Sequence, residues 1–181
     1  MDKLDTPIEK IFEELTAKEG QAFQDAYDKL MSKDPHSKGE IDDYIITASF
    51  EPAEGMYLMQ TDQTLKWVTP GESDNQHFEV IVQDKKDLRF IPYLYVVLKL
   101  FDEKENVVAE KEITFIWHPF VYHYGINGEI PREGDFIPEV TVRKPLFPRH
   151  DQVRGNRYAK DVTIRLASVH LKPGKKPFGP E

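Results

Sequence analysis

The chain has 181 residues, enough for one sizeable hydrophobic core with little left over for a second. With 39% hydrophobic and 31% charged residues it has the composition of a folded chain, and a formal net charge of -8 repels polyanions, so nucleic acid is excluded as a partner and cations are favoured. Cysteine is absent, which removes disulfides, thiolate metal ligands and thiol nucleophiles together.

In chain order, Met1 to Asp5 carry neither a basic nor an apolar leader region, so nothing in the sequence directs export, although a mature chain whose leader had been removed would read the same. Thr6-Pro7-Ile8-Glu9 predicts a helix start, with Thr6 and Glu9 placed as a capping box. Apolar residues at Ile8, Ile11, Phe12, Leu15, Phe23, Ala26, Tyr27, Leu30 and Met31 make one helical stripe, weakened around Lys18-Glu19-Gly20, and predict one amphipathic helix or two short ones within residues 1–33. Residues 34–41 are polar, contain Pro35 and Gly39, and predict a linker.

Residues 42–172 change texture to short runs rich in Val, Ile, Tyr and Phe, cut by Pro, Gly and Asp. Strands are predicted at 43–50, 55–60, 77–83, 93–101, 107–116, 136–143 and 162–171, with a weaker one at 65–69; Glu103 to Asn106 reads as a hairpin turn and Pro119 to Pro131 as a long aromatic loop. The fold class is mainly β, an immunoglobulin-like antiparallel β-sandwich with an N-terminal helical extension. Residues 173–181, rich in Pro, Gly and Lys, read as a mobile tail.

The candidate chemistry lies in the histidines. Strand alternation puts His77 and Glu79 on one face, away from Phe78, Val80 and Val82, so the pair offers two metal ligands, or one ligand and a carboxylate that orients it. His118 and His123 sit among Trp117, Phe120, Tyr122 and Tyr124; on a straight strand they would point to opposite faces, so they converge only if Pro119 bends the chain, and one of them, His118 more than His123, can instead be a structural ring hydrogen-bonded to a backbone carbonyl. His150 lies between Arg149 and Asp151 in a polar turn, while His36 and His170 read as solvated or hydrogen-bonded rings. There is no nucleophile elbow, Walker loop or dinucleotide glycine pattern. Imidazoles must be neutral to bind a metal, so affinity is expected to fall below about pH 6.5.

Gly55-Met56-Tyr57-Leu58, His77-Phe78-Glu79, Phe90-Ile91-Pro92-Tyr93-Leu94, His123-Tyr124-Gly125 and Arg149-His150-Asp151, in that order, resemble the periplasmic iron-transport-associated family of bacterial metal-binding antigens, over Gly55 to Leu171. The resemblance implies an immunoglobulin-like sandwich that forms a homodimer, holds copper or an iron-like ion near the dimer interface, and assists a membrane permease in iron uptake outside the cytoplasm, without turnover. It implies His77, His123 and His150 as imidazole ligands with Glu79 adjoining. The family's methionine ligand before His-Tyr-Gly is missing here, where Ile116-Trp117-His118-Pro119 stands, and His118 in its place would make a harder site suited to Cu(II), Zn(II) or Fe(II). Two other readings remain open from the residues: a non-haem metal enzyme with a His and carboxylate triad, and an interaction module whose histidines are structural.

Overall fold

The structure is a computed structural model and describes residues 7–152 and 154–177. Thr6, the predicted cap, lies outside the described residues. Helix α1 (Pro7–Leu30) runs without a break through the weak point of the stripe and closes in a 3-10 turn, Met31–Lys33. Gly20 marks where the helix passes closest to the sheet: a Cβ there would lie 1.7 Å from the Asp87 carbonyl oxygen, so the missing side chain is a condition of docking.

Among the described residues eleven strands follow: β1 (His36–Ile41), β2 (Tyr44–Glu51), β3 (Met56–Met59), β4 (Leu65–Val68), β5 (Gln76–Asp84), β6 (Val96–Phe101), β7 (Val107–Trp117), β8 (Tyr122–Gly128), β9 (Gly134–Val142), β10 (Val162–Arg165) and β11 (Val169–Leu171). β3 and β4 form a separate hairpin, and the others make one antiparallel sheet in the order β1-β2-β5-β8-β7-β6-β9-β10, with β11 also on β9. β7 serves two layers, since Val107 to Ile113 pair with β6 and Thr114 to Trp117 pair with β8. The sheet folds over at β7 and its ends meet, with the Ile164 and Leu166 side chains of the β10 region set against Gly39 of β1. Between the layers lies the core, including Ile46, Phe50, Phe78, Val80, Leu98, Leu100, Tyr124, Phe136 and Val140. This is the mainly β, sandwich-like class expected.

One layer buries both of its faces. Along β5, Phe78, Val80 and Val82 point into the core, while Ile81 points outward beneath Tyr27, Met31 and Val121. The Tyr27 hydroxyl donates to the Tyr122 carbonyl oxygen at 2.6 Å and the Lys38 ammonium donates to Gln24 Oε1 at 3.0 Å, which fixes the C-terminal half of α1 over the outer face. The N-terminal half keeps Ile8, Ile11, Phe12 and Leu15 more than half exposed.

Three segments depart from the expected organisation. Residues 36–41, read as linker, form β1; the stretch is polar because it is an edge strand, paired on one side with β2 over six residues. Residues 122–128, read as aromatic loop, form β8 between β5 and β7. Of the tail, residues 178–181 lie outside the described residues, and the part before them is docked as far as Lys176: the Gly174 carbonyl oxygen accepts from Ala53 N at 2.9 Å, Gly174 N donates to the Asn75 carbonyl oxygen at 2.7 Å, and Lys176 N donates to the Ala53 carbonyl oxygen at 2.8 Å. The Asp102–Asn106 turn is as expected, with Asp102 accepting from the backbone N of Lys104 and Asn106.

Candidate metal centre

Register places the site. In β5, His77 and Glu79 point outward; β8 opposes them with Asn127 and Gly125, and His123 lies two residues further along β8, on the same face and diagonal to Glu79. His77, Glu79 and His123 each offer one ligand atom, and these atoms all lie within 4.8 Å of one another. Gly125 leaves the space between them: a Cβ would stand 2.9 Å from His77 Nε2 and 3.2 Å from His123 Cδ2.

The His77 nitrogen facing that space is held as an acceptor would be. His77 Nδ1 is 2.9 Å from Asn127 Oδ1, and Asn127 is oriented by its Nδ2 donating to the Glu54 carbonyl oxygen at 2.7 Å. His77 Nδ1 therefore carries the proton and Nε2 presents its lone pair. His77 is fully buried and His123 is 5% exposed, yet among the described residues neither Nε2 has a hydrogen-bond partner. Glu79 Oε1 is 3.4 Å from His123 Nε2 and 3.9 Å from His77 Nε2. A buried, unpartnered polar nitrogen is unfavourable by about 1–3 kcal/mol, and two converging on a carboxylate are what an ion with nitrogen and oxygen preferences satisfies.

Burial sets the protonation. It pushes His123 down to about 3, helped by His77 and His118, and it lowers His77 as well. Burial, followed by the Glu51 and Glu54 carboxylates, pushes Glu79 up to about 8. Near neutral pH the imidazoles are thus neutral and ready to coordinate, while Glu79 holds the proton that a metal would displace.

Glu51 is the β2 residue opposite His77 in register, and Glu54 follows it past the strand end. Lys176 of the docked tail contacts the Glu51 carboxylate and donates to Glu54 Oε2 at 2.7 Å. Burial works against its charge, but these two carboxylates hold the ammonium protonated well above the ordinary lysine range. A cavity of about 100 Å3 adjoins the centre, bounded by Tyr27, Met31, Glu54, Glu79, His118, His123 and Lys176.

His118 faces this cavity, its ring centroid 6.3 Å from that of His123, although Phe120 N donates to its Nδ1 at 3.2 Å. In the neutral ring Nε2 then carries the proton, so His118 must change tautomer before that nitrogen can bind a metal. His150 is elsewhere, exposed in a groove that includes Phe12, Asp84 and Arg154. Phe12, in the first half of α1, and Met31, just past its C-terminal end, are about 28 Å apart by helical rise, so one subunit does not bring His150 to His123. His36 and His170 are also outside the centre; His170 pairs with Asp135 at 2.7 Å. Sequence reasoning missed Gly125, Asn127, Glu51, Glu54 and Lys176, of which Glu51 and Asn127 would have followed from strand register.

No protein-family model matches the chain, and no curated protein matches its sequence. Solved structures do match. FetP of uropathogenic Escherichia coli, expressed in the periplasm of E. coli, superposes with a TM-score of 0.60 at 15% identity over 77% of this chain and 95% of that one. The copper-reconstituted P19 protein of Campylobacter jejuni gives 0.61 at 14% identity over 78% and 98%. A copper-bound glutamate-to-glutamine variant of FetP gives 0.62 at 14% identity over 82% and 98%. At these identities the shared property is the fold.

Proposed function

We propose that this protein binds a divalent transition metal, copper or iron and also zinc, through His77, His123 and Glu79, and serves without turnover as an accessory of iron or copper uptake. The observation that carries the reading is the pair of buried, unpartnered Nε2 atoms converging on Glu79. A mixed nitrogen and oxygen set suits Cu(II), Zn(II) and Fe(II). The copper-bound neighbours share the fold, which supports copper among these. A carrier is favoured over an enzyme because the adjoining cavity, about 100 Å3, is far below the roughly 300–1,000 Å3 of pockets that hold organic substrates.

The resemblance extends the proposal to an extracytoplasmic, periplasmic protein that delivers its metal to a membrane permease and works as a homodimer. His118 joins the ligand set on its change of tautomer. His150 joins only from a second copy of the chain, and the homodimer is the assembly that would bring it.

Calorimetric titration of Cu(II), Zn(II) and anaerobic Fe(II) into chelator-stripped protein tests the reading, with His77→Ala, His123→Ala and His150→Ala alongside. Binding of one equivalent, lost in the first two variants, supports it; binding indifferent to both sinks it. A role for His150 requires its variant to weaken binding only at protein concentrations where dimers form.

A further inference from the structure

A groove of about 760 Å3 shares no lining residue with the cavity at the histidine centre, and its size is within the range of concavities that hold ligands. Its origin is a split in the sheet. β5 pairs with β8 only from Gln76 to Val80; beyond that, Ile91 N donates to the Val82 carbonyl oxygen at 2.9 Å and residues 90–91 run beside β5 instead. Phe90 fills the split, its ring centroid 6.0 Å from those of Phe115 and Tyr122, and Phe23 of α1 adds a further ring 5.8 Å from Tyr122. Register contributes Trp117, which opposes Tyr122 as Phe115 opposes Tyr124. The rings are not sealed off: Phe115 is 48% exposed, Trp117 67% and Tyr93, at the left-handed φ of 58°, 87%.

The groove is aromatic, but it is not merely greasy. Among the described residues no protein acceptor takes the Trp117 Nε1 proton or the Tyr93 and Tyr122 hydroxyls, so flat apolar faces come with available N–H and O–H donors. The rim is acidic. Glu19, Asp84 and Asp87 line it; Arg157 lies 2.6 Å from Asp84 and Arg89 lies 3.0 Å from Asp87, so three carboxylates face two guanidiniums and the Glu19 charge is in excess.

A matching ligand brings flat apolar surface, carbonyl oxygens free to accept, and positive charge. A proline-rich segment carrying lysine or arginine supplies all three: its rings stack on aromatic faces, its polyproline II backbone makes no internal hydrogen bonds, and it is already extended before it binds. A purely apolar molecule leaves the donors unpaired, and an acidic one meets Glu19. We propose that this groove docks a basic, proline-rich segment of a partner protein, with Phe115, Trp117 and Tyr122 as the platform for its prolines and Glu19 as the partner of a lysine or arginine. The proposal goes beyond the metal reading and does not depend on it.

The test is titration of chelator-stripped, full-length protein with a synthetic peptide rich in proline and lysine. Trp67→Phe leaves Trp117 as the single tryptophan and its fluorescence as the signal; calorimetry serves for Trp117→Ala. Saturable binding is expected, weaker by about tenfold or more in Trp117→Ala and Phe115→Ala, by about threefold in Glu19→Gln, and unchanged in Leu146→Ala, which alters an exposed apolar residue that does not line the groove. Trp117 and Glu19 are exposed, so their variants keep the fold, as circular dichroism melting checks. Absence of saturable binding overturns the proposal, as does binding indifferent to Trp117→Ala or equal binding of a peptide with glycine in place of every proline. A Trp117 signal that changes with protein concentration alone overturns it too, since a second copy of the chain would then be the occupant.

Discussion

The two faces of β5 are built from the same nine residues and buried to similar depth, yet they follow opposite rules. Facing the core, Phe78, Val80 and Val82 are fully buried and apolar, and each neighbour they touch completes the packing. Facing α1 and the tail, His77 is covered just as thoroughly and Glu79 is largely covered, yet among the described residues His77 Nε2 has no hydrogen-bond partner. A face that only stabilised the fold would be better served by apolar side chains of similar size, because an unsatisfied buried group opposes folding and a buried charge opposes it more. The inner face makes the protein stable; the outer face gives up stability, and the proposed metal centre accounts for that loss.

That contrast can be broken from either side. Phe78→Ala on the core face is expected to destabilise by about 3–5 kcal/mol in chemical denaturation while leaving metal affinity of the folded protein within a few-fold of wild type. On the outer face, Asn127→Ala frees the His77 ring from its tautomer and should weaken metal binding roughly 10–100-fold with a smaller effect on folding. Equal changes of stability and affinity in both variants would erase the distinction. Gly125→Ala places a methyl between the two imidazoles and is expected to cost about 1–3 kcal/mol of stability as well as metal affinity, measured by denaturation and calorimetry on the same samples.

The smallest effect is the dependence on pH. His123, about 3 when folded against 6.5 in the unfolded chain, makes the unfolded state bind more protons between those values, so its contribution to stability is lost as pH falls through that window. Glu79, about 8 against 4.5, does the reverse: its contribution is full below 4.5 and is lost as pH rises through 8. Metal-free protein should therefore lose stability between about pH 6.5 and 8, a slope that Glu79→Gln flattens. Metal affinity should fall about tenfold for each unit below pH 8, as a proton returns to Glu79. This replaces the fall from pH 6.5 expected of ordinary histidines, because burial has already neutralised the rings.

Much of this was legible in the sequence. The alternation in His77-Phe78-Glu79-Val80 put the histidine and the carboxylate on one face, and the Val, Ile and aromatic runs marked most strands within a few residues. β8 was hidden because its outward residues, His123, Gly125 and Asn127, serve the site, so Tyr122 to Gly128 lacks the apolar rhythm of a strand and carries two glycines. β1 was hidden because an edge strand needs one apolar face at most. The docked tail was the least legible part: Lys176 looks like a solvated tail residue until Glu51 and Glu54, more than a hundred positions away, are folded against it. His150 shows the converse, a residue whose resemblance is local and whose place in a single subunit is far from the centre.

The central claim is that His77 and His123 bind one ion together. The most direct measurement is electron paramagnetic resonance of chelator-stripped protein loaded with one equivalent of Cu(II), with nitrogen hyperfine structure read in wild type, His77→Ala and His123→Ala. Coupling to at least two imidazole nitrogens in wild type, with one lost in each variant, is the predicted result. A wild-type spectrum that both substitutions leave unchanged would place the copper elsewhere and contradict it.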